Sequence, residues 1–141
     1  MDKRIEALAD QLTERRLDWV ALNPGPSLRY LTGLSFHLME RPVVVLIGNS
    51  GQVKVILPEL ELAKVESLQF EAEVIAFGDD PTTWQGIYQQ ALSAISSQPL
   101  RVGVEPTGLR FLELDLLRKA LPKAEFVDGS VTLAGLRMRK G

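Results

Sequence analysis

Residues 33–41 read Gly-Leu-Ser-Phe-His-Leu-Met-Glu-Arg and hold the chain's single histidine, His37, four residues before Arg41. An imidazole donates or accepts a hydrogen bond near neutral pH, and a guanidinium clamps a carboxylate through a forked pair. The Phe, Leu and Met around them read as exposed and offer adaptable apolar contact. On the residues alone two readings stand. In one, 33–41 is a connecting loop whose apolar side chains tuck against the domain edge. In the other it is a docking surface, because loops at sheet ends are where binding residues usually sit.

Other chemistries find less support. A metal-dependent hydrolase needs several Asp, Glu or His ligands converging on one pocket. Here the acidic residues are scattered over helix starts, turns and polar faces, and Asp79-Asp80 precedes Pro81, which reads as a helix cap. No catalytic or metal-ligating residue is expected in this sequence. Gly-x-Gly-x-x-Gly, Gly-x-x-x-x-Gly-Lys-Ser/Thr and Gly-x-Ser-x-Gly are all missing. The Arg137-Met138-Arg139-Lys140 cluster has no interleaved aromatics and reads as a solvated segment. Trp84 and Tyr88, at helical spacing, read as core or interface packing.

The elements that would position the loop follow from periodicity and turn chemistry. Ile5, Leu8, Ala9 and Leu12 recur at helical spacing, so 2–16 is expected to be an amphipathic helix. A buried strand at 18–22 runs into Asn-Pro-Gly-Pro, which opens a short helix closed by Gly33, where a positive φ is needed. The run 43–47 is β-branched and continuously apolar, as a central strand is. Gly48-Asn49-Ser50-Gly51 reads as a hairpin turn into an antiparallel strand at 53–57. Pro58 is expected to start a helix with Leu60, Ala63, Lys64 and Leu68 on one side. A strand at 73–77 follows, then the longest helix, opened by Asp80-Pro81, with a face of Trp84, Ile87, Tyr88, Ala91, Leu92 and Ile95. A strand at 101–105, a helix at 108–121 through Leu112, Leu116, Leu117 and Leu121, a strand at 124–127 and a short helix capped by Ser130 complete the pattern. Strands alternate with helices and one hairpin interrupts them, which spells a three-layer α/β domain with a mixed sheet of five or six strands.

The totals agree. At 141 residues the chain has the size of one domain. Sixteen basic against eighteen acidic side chains leave a net charge of −2, which supplies no general attraction for nucleic acid or an anionic membrane. The absence of cysteine excludes disulfides and thiolate chemistry and fits a reducing compartment. Residues 1–6 lack the apolar core of a signal peptide, and no apolar run approaches the ~20 residues that span a bilayer. A cytoplasmic location is the expectation.

Arg4-Ile5, Trp19-Val20-Ala21-Leu22 before the Asn-Pro turn, Arg29-Tyr30-Leu31-Thr32-Gly33, Val102-Gly103-Val104-Glu105, Ala124-Glu125-Phe126-Val127-Asp128 and Leu136-Arg137-Met138-Arg139-Lys140 occur in one order. Together they make residues 3–140 resemble the N-terminal domain of the creatinase/prolidase family, which cleaves Xaa-Pro bonds and includes creatine amidinohydrolase. The likeness is greatest to prolidase-type dipeptidases, which carry a similar His- and Glu-Arg-containing loop. The resemblance implies a ribonuclease H-like fold and a single domain over 1–141, with the pita-bread catalytic domain absent from this sequence. That domain would hold two divalent metal ions, such as Mn, Co or Zn, so the chain alone is expected to be inactive and its parent to be a metallopeptidase. The resemblance also implies a homodimer in which His37 and Arg41 approach the partner's substrate pocket and limit it to short proline-containing peptides. Two alternatives keep the same fold: an interaction module of a pseudo-peptidase, and the N-terminal domain of a creatinase-like amidinohydrolase.

Overall fold

The computed structural model describes residues 2–138; Arg139 and Lys140 of the terminal basic cluster lie outside them. Helix α1 (Lys3–Glu14) starts where the Asp2 carboxylate accepts the backbone N–H groups of Arg4 and Ile5 at 2.9 and 3.3 Å. Strand β1 (Trp19–Leu22) is buried throughout and leads to α2 (Pro26–Thr32), which ends at Gly33 with φ +78°. Strands β2 (Val44–Gly48) and β3 (Val53–Pro58) form the expected hairpin, with Gly51 at φ +83° in its turn. Then come β4 (Glu73–Phe77), α3 (Trp84–Ala91), β5 (Arg101–Val104), α4 (Phe111–Ala120), β6 (Glu125–Asp128) and α5 (Ser130–Met138).

Six strands make one mixed sheet in the order β4-β3-β2-β1-β5-β6. The β2 strand is antiparallel to both β1 and β3, while β1–β5, β3–β4 and β5–β6 are parallel. Side chains alternate across the sheet and so sort into two cores. Val45 and Ile47 of β2 join Ile5, Leu8, Leu12, Leu28 and Leu133 on one side. Val44 and Leu46 join Trp84, Tyr88, Leu92, Leu116 and Leu117 on the other. A helical layer therefore covers each face, and the three-layer α/β domain with a central 43–47 run stands as expected.

Three local expectations are corrected. Residues 59–67 form a 3₁₀ segment with no buried side chain, and Leu60 is 72% exposed. Glu59-Leu60-Glu61-Leu62 alternates charge with apolar side chains, which builds no stripe at a 3.6-residue period. The helix after Asp80 is not the longest. A 3₁₀ turn at Pro81–Thr83 precedes the eight-residue α3, whereas α1 has twelve residues. Beyond α3 the Ser93 and Ser96 hydroxyls donate to carbonyls three residues back, and the chain continues as turns. Ser130 does not cap α5; the Asp128 carboxylate accepts its backbone N–H at 2.8 Å.

Candidate functional site

The parallel pairings place the C-terminal ends of β1, β3, β4, β5 and β6 on one rim of the sheet, where β2 begins. Loops at such a rim are the usual ligand-facing part of an open α/β sheet. The segment 33–43 crosses this rim between α2 and β2, so the chain order alone delivers His37 and Arg41 there.

The loop is tied down at intervals. Leu34 is buried, and its N–H donates to the Thr32 hydroxyl at 3.1 Å. Lys64 donates to the Ser35 carbonyl at 3.1 Å, and its ammonium sits 4.9 Å from the centre of the Phe36 ring. The Arg110 guanidinium donates to the Met39 carbonyl at 2.6 Å. Arg41 pairs with Asp79, beyond the end of β4, at 2.8 Å. Between these ties His37 is exposed and has no hydrogen bond among the described residues, and Leu38 beside it is 55% exposed. The picture of Phe, Leu and Met all reaching into solvent is corrected: Leu34 is buried, and Phe36 and Met39 are half-buried. The buried Leu34 and the Phe36 ring, which packs against the core that holds Leu28 and Val45, anchor the loop instead.

The structure thus places His37 and Arg41 on the same loop but in different states. His37 is exposed and without a hydrogen-bond partner among the described residues, whereas Arg41 is engaged with Asp79. The Asp79-Asp80 pair divides its work accordingly. Asp80 accepts the Thr82 hydroxyl and N–H at 2.7 and 3.0 Å, and these bonds hold its carboxyl below the usual range.

Behind the loop lies a polar centre that the motif reading missed. Glu113, on the inner face of α4 with Leu116, Leu117 and Ala120, is fully buried. Its carboxylate accepts the Arg110 Nε at 3.0 and 3.1 Å, the Arg110 Nη2 at 2.6 Å and the Arg110 backbone N–H at 3.2 Å. These bonds raise the guanidinium's affinity for its proton. Asn23, just past β1, donates to the Gly108 carbonyl at 2.6 Å and reaches Glu113 at 3.5 Å. Ser27 donates to Glu105 at 2.8 Å. The Tyr88 hydroxyl on α3 is buried without a partner, and burial pushes its pKa well above the ordinary range, with the Glu113 charge adding to the shift and Arg110 opposing it. One signal for this centre was available: Glu113 is spaced three and four residues from Leu116 and Leu117, which sets a carboxylate on an apolar stripe.

Among the described residues no group of three or more His, Cys, Asp or Glu side chains is placed to hold a metal ion. No helix among them is long and apolar enough to cross a membrane.

The family described as Creatinase/Prolidase N-terminal domain matches residues 4–139. The chain belongs to that family. No curated protein matches it significantly. Among solved structures, this creatinase/prolidase N-terminal domain is similar to a dipeptidase, PepE, from Mycobacterium ulcerans, with 28% identity, a TM-score of 0.80, and coverage of 99% of this chain and 37% of that one. A dipeptidase from Pyrococcus horikoshii is 26% identical with a TM-score of 0.82, over 98% of this chain and 37% of its own. A proline dipeptidase from Streptococcus pneumoniae, 23% identical over 99% of this chain and 100% of that one, shares the fold at a TM-score of 0.81. The chain therefore spans little more than a third of the first two solved chains and all of the third.

Proposed function

We propose that this chain is the non-catalytic N-terminal domain of a metal-dependent Xaa-Pro dipeptidase or aminopeptidase, and that its 34–41 loop restricts the substrate pocket of a partner subunit. The observation that carries the reading is His37. It stands exposed and without a hydrogen-bond partner among the described residues, on a loop anchored on either side of it at Leu34, Ser35, Met39 and Arg41. Exposed polar residues on an anchored loop are characteristic of binding positions. The family membership over 4–139 supports this enzyme class. The reading of short proline-containing peptides as substrates follows the prolidase in the family's description and agrees with the dipeptidases to which the chain is similar.

In this role His37 supplies an imidazole to a terminus of the bound peptide, accepting from its ammonium group or donating to its carboxylate. Arg41 holds the loop through Asp79, and it is available to a peptide carboxylate only by exchanging that partner. Two divalent metal ions would be held by side chains of the parent enzyme's catalytic part, where they would activate water; no such ligand set occurs among the described residues of this chain. Here the chain's own residues orient and exclude.

Mixed dimers test the assignment. One protomer carries His37→Ala with its catalytic part intact; the other keeps His37 but is inactive in its catalytic part. Action across the dimer predicts that one pocket in each mixed dimer works normally. A mixed dimer as impaired as the His37→Ala homodimer would contradict it.

A further inference from the structure

We infer that Arg110 is the positioning residue of the 34–41 loop, linking the buried Glu113 carboxylate to the backbone two residues from His37. The inference rests on the functional reading of that loop. Three cations touch the loop region, and they differ in what stands behind them. Lys64 reaches the Ser35 carbonyl from the exposed 3₁₀ segment, and Arg41 pairs with the largely exposed Asp79. Such solvated contacts impose little order. Arg110 alone among them is held by a carboxylate with no solvent exposure.

The geometry leaves the guanidinium little freedom. Nε and Nη2 are committed to Glu113, so the planar fork fixes the direction in which Nη1 points, and Nη1 meets the Met39 carbonyl at 2.6 Å. The carboxylate is itself set by the inner face of α4, by the Arg110 backbone N–H and by Asn23 at the end of β1. Orientation thus passes from the central sheet and α4, through Glu113 and Arg110, to Met39. Nothing comparable is needed to pack the core: the same pair would neutralise Glu113 without Nη1 reaching a residue 71 positions away.

The test reads loop order directly. In the 141-residue chain, ¹⁵N relaxation of the Leu38 and Met39 amides should give order parameters near ~0.85, as for rigid backbone, falling below ~0.6 in the double variant Arg110→Met with Glu113→Gln. That variant removes both charges together, so no carboxylate is left buried alone. Amides of β2 serve as the reference and should not change. A second variant, Arg110→Lys, keeps a charge for Glu113 but replaces the fork with a compact ammonium, and it should loosen the same two amides. Unchanged order at Leu38 and Met39 in either folded variant would overturn the proposal, as would loss of the fold in both. Because this readout does not use turnover, a loosened loop together with normal Xaa-Pro hydrolysis by the parent enzyme carrying the same substitutions would sustain the positioning role and contradict the functional reading instead.

Discussion

Arg110 and Glu113, three residues apart at the start of α4, meet at 2.6 Å, and the Glu113 side chain has no exposure to solvent. A buried carboxylate depends on its partner, because removing one member of such a pair leaves an uncompensated charge. Arg110→Met should therefore destabilise the domain by about 3–5 kcal/mol, and adding Glu113→Gln should restore most of the loss. Urea titration of the three proteins checks this. A single-variant loss of about 1 kcal/mol or less, the value of a surface pair, would show that Glu113 is satisfied by other groups.

Tyr88 gives the opposite kind of prediction. Its hydroxyl is buried with no partner, so Tyr88→Phe removes an unsatisfied group at little loss of packing. Stability should stay within about 1 kcal/mol of the parent or rise. The alkaline limb is also assigned. The folded pKa lies above the unfolded one, so the contribution is complete below about pH 10 and is lost as pH rises from there toward the folded value. Tyr88→Phe should flatten the fall in stability above that pH. An unaltered alkaline slope would remove Tyr88 from the account.

The acid limb belongs in part to the caps. Hydrogen bonds from Ser130 lower the Asp128 carboxyl, as those from Thr82 lower Asp80. Depressed folded values mean that the contribution is present above the unfolded value of about 4 and is lost as pH falls through the folded one. Asp128→Ala should weaken the acid dependence of the melting temperature and fray the start of α5 in helical circular dichroism. The same acid slope in parent and variant would contradict the cap.

Leu116 and Leu60 separate the layers. Leu116 packs between α4 and the sheet, so Leu116→Ala should reduce stability by about 2–5 kcal/mol. Leu60→Ala, on the exposed 3₁₀ segment, should change it by less than about 0.5 kcal/mol. Denaturant melts of both variants decide. Equal losses would restore the amphipathic helix that the sequence suggested at that place.

The β2 strand and its hairpin were readable because an uninterrupted β-branched run and a Gly-Asn-Ser-Gly turn are local signals, and so was Gly33, whose positive φ closes α2. The 59–67 segment was misread because a leading proline and scattered leucines resemble a helix start, while the absence of a stripe decides the packing. In the loop, His37 and Arg41 were found by residue type. Their different states were not readable, since Arg41 is engaged by Asp79, 38 residues away. Glu113 could be placed on an apolar face by spacing, but no local pattern announces that its partner also holds Met39. Such contacts depend on the β1–β5 crossover, which brings the ends of distant strands to one rim.

The central claim is that His37 acts on substrate and not on the fold. The most direct measurement compares Xaa-Pro dipeptide hydrolysis and thermal unfolding for the parent enzyme carrying this domain and for its His37→Ala variant. An exposed side chain with no hydrogen bond among the described residues should leave stability within about 0.5 kcal/mol when truncated. Turnover, as kcat/KM, should fall at least about tenfold, equivalent to about 1.4 kcal/mol of lost transition-state binding. Unchanged kcat/KM, or reduced stability with full activity, would contradict the account and assign His37 to structure.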